Sequence, residues 1–298
     1  NGPIEHQEVR TIKTAGTDIK FGHEQAAKVS QHAATQGGGQ RNLPDQIVDL
    51  FLALIFMGDL KPGDRLPPEL ALTEILRVNR SSLRMAMRVL VRFRVIESNR
   101  GSGLTVLDHQ AHAGINFITE LLRIPELDMG SSFILEMLES APEFIELLLN
   151  ASIKNRGVDR NLTYIATLEQ KISYLKSGSN PGELARLDIQ MQDNASASFK
   201  NSIYRSAYNS FAPIRDYLME LYYSMGGDQL SYVENEKALS LAFLTQGIGE
   251  DEFRERFRQL VSDAVDEFRD YLTDLPKEPR LLVSPLQHYP EMVSLNSK

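Results

Sequence analysis

Residues 79–107 read NRSSLRMAMRVLVRFRVIESNRGSGLTVL. Asn79 is a suitable N-cap, because its side-chain oxygen can accept from a backbone N–H that the first helical turn leaves open. From Arg80 to about Phe93, Leu83, Met87, Leu90 and Val91 recur at helical spacing and predict one buried stripe. Arg80, Arg84, Arg88 and Arg92 recur every four residues and line another side. After the helix come two short apolar runs, Val95–Ser98 and Leu104–Leu107, around the glycine-bearing loop Asn99-Arg100-Gly101-Ser102-Gly103. That pattern predicts a β-hairpin.

Upstream, Ile47, Leu50, Phe51, Leu54 and Ile55 predict an apolar helix face running to about Phe56. The helix begins after Asn42, with Pro44 and Asp45 in its first turn, where a fixed φ and a negative charge are both favourable. Lys61-Pro62-Gly63-Asp64 is a turn by composition. A second short helix is expected over Pro68–Leu76, ending at Arg77-Val78-Asn79. Three helices and a hairpin within residues 41–107 describe a winged helix-turn-helix.

Charge separates this block from the rest of the chain. The 298 residues carry a net charge of −8. Residues 41–107 hold ten bases, nine of them arginine, against seven acids, whereas residues 108–298 hold eighteen bases against twenty-nine acids. A basic block beside an acidic one points to a polyanion at the first only. Arginine's planar fork addresses two acceptors at once, as on phosphate or a guanine edge.

The ordered set Pro62-Gly63, Leu66-Pro67, Glu69, Leu72, Val78, Arg80-Ser81-Ser82, Leu83-Arg84, Leu90 and Arg100-Gly101-Ser102-Gly103 resembles the DNA-binding domain of the GntR superfamily of bacterial transcription regulators. The resemblance implies DNA contacts from Arg80, Ser81, Ser82 and Arg84 at the start of the recognition helix. It also implies that the wing glycine, Gly101, enters the minor groove, and Arg100 beside it is a further expected DNA contact. Two positions depart from the family pattern. Leu70 stands where arginine is usual, and Arg77 stands at the turn position usually held by glycine, where it can supply a phosphate contact of its own.

Residues 112–275 read as almost entirely helical and are expected to form an effector-binding and dimerisation bundle. Ser131–Ile153 and Asp251–Leu272 are its clearest helices. Residues 1–40, with Gln36-Gly37-Gly38-Gly39-Gln40-Arg41 at their end, are expected to be a flexible extension, and residues 276–298 a tail. Leu187-Asp188 and Asn201-Ser202-Ile203-Tyr204 resemble the all-helical effector domain of the FadR subfamily. Many members of that subfamily bind a metal through an aspartate and three histidines. Here Asp188 matches the aspartate, but Gln192 stands where histidine is expected, and His109, His112 and His288 lie off the helices between, so no metal is expected. A metal-free member resembles the branch that binds long-chain acyl-CoA. On that footing Tyr204, Phe211, Tyr217, Phe257 and Phe268 are candidate ligand contacts, and an acyl-CoA or fatty acid is the candidate effector. Against it, Glu139-Ser140-Ala141-Pro142-Glu143 is acidic where that branch places a base.

The fold class expected is therefore mainly α, an N-terminal winged helix-turn-helix plus a C-terminal all-helical bundle. The expected working unit is a homodimer on a pseudo-palindromic duplex, since two recognition helices then read matching half-sites. The alternative is a dimer whose helical domain has lost its ligand and serves dimerisation or partner recruitment. No GxSxG, HExxH or Walker-type loop occurs, so an enzyme is not expected. No apolar run reaches the ~18–20 residues of a membrane span. With no cysteine and no signal-like amino end, the expected location is the bacterial cytoplasm, at the nucleoid.

Overall fold

The computed structural model describes residues 10–14, 17–21, 41–99, 103–154, 158–178, 180–197, 199–225 and 228–286. Inside the stretch expected to be a flexible extension, β1 (Arg10–Thr14) and β2 (Thr17–Phe21) pair antiparallel, so that stretch is not structureless throughout. The chain then divides into two compact units. One takes the described residues up to Met129 together with those from Glu278 on, and the other is Gly130–Lys277.

The first unit is built on α1 (Leu43–Phe56). Asn42 caps it, accepting from the Asp45 N–H at 3.0 Å. Sequence periodicity predicts one apolar face; the structure also buries Val48, Leu52 and Ala53, so α1 is the central helix of its unit. α3 (Arg80–Arg92) packs on it and α2 (Glu69–Leu76) packs on α3, with Leu72, Leu76, Leu83 and Leu90 all fully buried. Burying each such leucine contributes roughly 1.5–3 kcal/mol relative to leaving it in water. Val91, expected in the buried stripe of α3, is 40% exposed; Ala86 takes that place, one turn before Leu90.

β3 (Ile96–Asn99) and β4 (Gly103–Val106) form the expected antiparallel hairpin. Residues 63–66 lie along its edge, with Gly63 N–H donating to Val106 O and Leu66 N–H to Leu104 O, each at 2.9 Å. The wing is thereby tied to the segment that leads into α2.

The boundary expected near residue 112 moves. α4 (His109–His112) and α5 (Ile115–Leu121) belong to the first unit, with Phe117 edge-on to Phe56 of α1 at 6.5 Å between ring centroids. β5 (Leu127–Asp128) pairs with β6 (Arg280–Leu281), and Leu282 N–H donates to Glu126 O at 2.8 Å. Part of the expected tail is therefore a strand of the first unit.

The second unit is a bundle of α6 (Ser131–Lys154), α7 (Val158–Ser177), α8 (Pro181–Ser196), α9 (Ser202–Ser224), α10 (Gln229–Leu244) and α11 (Glu250–Leu272). Asn180, Asn201 and Asp228 cap α8, α9 and α10 from their side chains. Pro142 and Pro213 sit inside α6 and α9, where each removes one helical donor. Among the described residues, no helix is long and apolar enough to cross a membrane.

Candidate nucleic-acid interface and ligand cavity

The turn between α2 and α3 sets which side of α3 is presented to solvent. α2 ends at Arg77 in the left-handed conformation, φ 49° and ψ 47°, which costs a non-glycine residue about 1–2 kcal/mol. This is the position where the family pattern has glycine, and the Arg77 side chain is exposed. Two residues later Asn79 caps α3, its Oδ1 accepting the Ser82 N–H at 2.8 Å. Ser82 is half-buried and Ser81 is exposed beside it.

One carboxylate organises the two leading arginines. Glu69, the first residue of α2, accepts Arg80 Nε at 2.8 Å and Arg84 Nε at 2.6 Å on the same Oε1. The two guanidiniums, Arg84's foremost, hold the Glu69 carboxyl below the usual range. Arg80 and Arg84 remain 60% and 57% exposed, each engaging Glu69 through Nε. Arg88 and Arg92 continue the exposed row. Leu83, Ala86, Met87 and Leu90 are buried on the opposite side, so α3 cannot turn this row away from solvent without emptying the core.

Arg41, counted with the basic block, does not belong to this surface. It is ion-paired with Asp49 and Glu126 and half-buried between them. Burial pushes the Asp49 carboxyl up to about 6 against the pull of Arg41. Wing residues Arg100 and Gly101 lie outside the described residues. Sequence reasoning missed the Glu69 clamp; the signal available was an acid at the first position of α2, eleven and fifteen residues before two arginines.

Residues 43–106 match the family model of bacterial regulatory proteins of the gntR family. The winged domain belongs to that family. Mce2R, an HTH-type transcriptional regulator of Mycobacterium tuberculosis, is 28% identical to this chain over 182 residues, covering 60% of this chain and 72% of its own. The Escherichia coli repressor MngR, named for mannosyl-D-glycerate transport and metabolism, is 33% identical over 121 residues, 40% of this chain and 50% of its own. A solved GntR family member from Pseudomonas syringae pv. tomato has a TM-score of 0.38, with 16% identity, covering 80% of this chain and 88% of its own. Residues 43–106 are thus a DNA-binding domain of the GntR type, and the relatives named here are themselves transcription regulators.

Beyond the GntR domain, the helical unit contains a cavity of about 570 Å³. Its apolar walls include Leu148, Phe243, Phe253, Phe257, Val261 and Phe268. Two of the five expected ligand contacts, Phe257 and Phe268, are therefore on the wall. Tyr204, Phe211 and Tyr217 are not among the lining residues. Tyr204 lies in the exposed first turn of α9, and Phe211 packs on Phe144 with centroids 3.9 Å apart. α9 meets the cavity lower down, through Leu218, Met219, Tyr222 and Tyr223, and Tyr217 falls off that face.

A buried polar network lies at this cavity. Lys171 of α7 has no exposed surface, and its Nζ donates to Asp188 Oδ1 of α8 at 2.6 Å. Tyr223 donates to the other Asp188 oxygen, and Tyr164 donates to Glu236 of α10. Burial works to lower the Lys171 pKa, but Asp188 and Glu236 outweigh it and hold the ammonium protonated above the usual range. Burial pushes the Glu236 carboxyl up, against the pull of Lys171. The residues do not fit a metal. The place beside Asp188 is taken by the chain's own ammonium, and among the described residues no three His, Asp or Glu side chains converge.

Proposed function

We propose that this regulator binds a pseudo-palindromic operator as a homodimer and that a small ligand in the helical unit controls its affinity for that operator. The observation that carries the DNA reading is the Glu69 clamp. It presents Arg80 and Arg84 from the amino end of a helix whose other side is core. The Nη ends address base edges or phosphates, Ser81 and Ser82 let the backbone approach the duplex, and Arg77 reaches the flanking phosphates. Arg100 and Gly101 are proposed as the wing contacts in the adjacent minor groove.

The ligand reading rests on the cavity and draws the chain toward the FadR type of effector domain. Phe257 and Phe268 are the wall contacts proposed from the expected set. A cavity of this size falls within the ~300–1,000 Å³ usual for small-molecule sites. It favours a ligand-responsive regulator over a dimer whose helical unit merely holds partners together. An acyl chain matches the apolar walls, but the two carboxylates along them oppose the anionic end of a fatty acid or acyl-CoA. Ligand occupancy shifts the population of dimers whose two recognition helices meet their grooves together. The test is fluorescence anisotropy on a duplex selected from a random pool by the protein itself, before and after removal of copurifying small molecules. Sequence-selective binding that changes on removal supports the reading. Binding with no selectivity at moderate salt overturns the DNA half, and selective binding indifferent to removal and re-addition overturns the ligand half.

A further inference from the structure

The charge on the cavity wall bears on the chemistry of its occupant, an inference that rests on the ligand reading above. Asp188 and Glu236 both line the cavity. Among the described residues, no lysine, arginine or histidine side chain does. Lys171, the cation that balances Asp188, is fully buried behind the wall and already committed to that carboxylate. An anionic head entering here meets two carboxylates and no counter-charge, and burying an uncompensated charge is among the costliest events a protein site can undergo. The acids are themselves engaged from within the chain, Asp188 by Lys171 and Tyr223 and Glu236 by Tyr164, which leaves little for an ammonium head to gain against its own desolvation.

Two of the lining residues carry neutral groups whose hydrogen-bonding capacity is unused. The hydroxyls of Tyr222 and Ser240, both of lining residues, are buried without a hydrogen-bond partner. Buried hydroxyls in folded proteins are nearly always paired, so two orphans at one cavity need an explanation. Ser240 stands one turn beyond Glu236 on α10, on the same helical face, and Tyr222 feels the charge of Glu267 first and then of Lys171, Asp188 and Glu236, so both belong to the polar end. A hydroxyl both donates and accepts, and it can serve a ligand oxygen either way.

We propose that the effector is an apolar molecule with an uncharged hydroxyl or carbonyl head, held at the Tyr222–Ser240 end of the cavity, rather than a carboxylate, a phosphate or a coenzyme A ester.

The test uses the full chain, stripped of copurifying small molecules, and three ten-carbon probes that differ only in their head: decan-1-ol, decanoate and decylammonium, titrated calorimetrically at neutral pH. The alcohol is expected to bind at least about tenfold more tightly than either ion, the weight of one poorly compensated charge in a buried site. Tyr222→Phe and Ser240→Ala are each expected to weaken the alcohol by roughly two- to twelve-fold, one net hydrogen bond apiece. Glu236→Gln keeps an acceptor for Tyr164 and removes a charge, so it is expected to raise decanoate affinity specifically. Decanoate or decylammonium binding as tightly as the alcohol overturns the head-group inference and leaves a ligand domain standing. Alcohol binding that neither Tyr222→Phe nor Ser240→Ala weakens also overturns it. Failure of all three probes to bind overturns both the inference and the ligand reading beneath it.

Discussion

Lys171→Met removes the cation at the centre of the helical unit and fills most of its volume with an apolar chain. Asp188 then keeps Tyr223 as a donor but loses its counter-charge, and Glu236 loses the same neighbour. Removing one partner of a buried ion pair typically costs about 3–5 kcal/mol, because the charge left behind stays desolvated. Lys171 has no exposed surface, so solvent does not screen this loss. The full cost is therefore expected. Hydrogen exchange followed by mass spectrometry on peptides of α7 and α8 reads the opening of this unit separately from the GntR domain. Protection is expected to fall by about two to three and a half orders of magnitude, at ~1.4 kcal/mol per decade. Adding Asp188→Asn in the Lys171→Met background is expected to recover most of that loss, since the stranded charge is gone while an acceptor for Tyr223 remains. A cost below about 1 kcal/mol for the single variant, against the range expected for a buried pair, would refute the reasoning. So would a double variant no more protected than the single.

Other expectations concern the GntR domain. Asn79→Ala removes the α3 cap and should cost about 1 kcal/mol in urea unfolding of the chain, while Asn79→Ser or Asn79→Asp should cost little. Arg77→Gly should move two readouts in opposite directions: relief of the left-handed φ raises stability by about 1 kcal/mol, and loss of the side chain lowers DNA affinity and flattens its salt dependence. Glu69→Ala releases Arg80 and Arg84 from their common acceptor, so affinity for the selected duplex should fall more than affinity for unrelated duplex, as competition anisotropy would read. Asp49 should titrate near pH 6, as followed by its carboxyl carbon shift. Because the native state holds that proton more tightly than the unfolded chain, Asp49 destabilises the fold progressively as pH rises from about 4 to about 6. The full effect is about 3 kcal/mol, and an Asp49→Asn variant should lack that slope.

What could be read from sequence, and what could not, divides by range. The three helices of the winged domain, the asparagine caps of α1 and α3 and the hairpin are local facts. A short apolar period, a capping residue and a glycine-bearing loop specify them within a few residues. The exposed face of α3 was equally legible, since Leu83, Met87 and Leu90 leave Arg80, Arg84 and Arg88 nowhere to point but outward. Pairings across the chain were not legible. Arg41 reads as one more base in a basic block until Glu126, eighty-five residues on, is seen to claim it. Lys171, in the stretch Glu169-Gln170-Lys171, looks like the solvated side of a helix, and only the approach of α8 and α10 turns it into a fully buried charge. The same limit explains the aromatic set. Composition shows that α9 and α11 are rich in rings but not which turns face a common void. Phe257 and Phe268 therefore reach the cavity wall while Tyr204, Phe211 and Tyr217 do not.

The account depends most on the α3 arginines entering duplex DNA. The direct measurement is the affinity of Arg80→Ala and Arg84→Ala variants for the selected duplex and for an unrelated one, across a salt series, with folding confirmed by circular dichroism. If they read base edges, each substitution costs about 1–3 kcal/mol on the selected duplex, with a smaller loss on the unrelated one. Affinity and salt slope unchanged in both well-folded variants would contradict it.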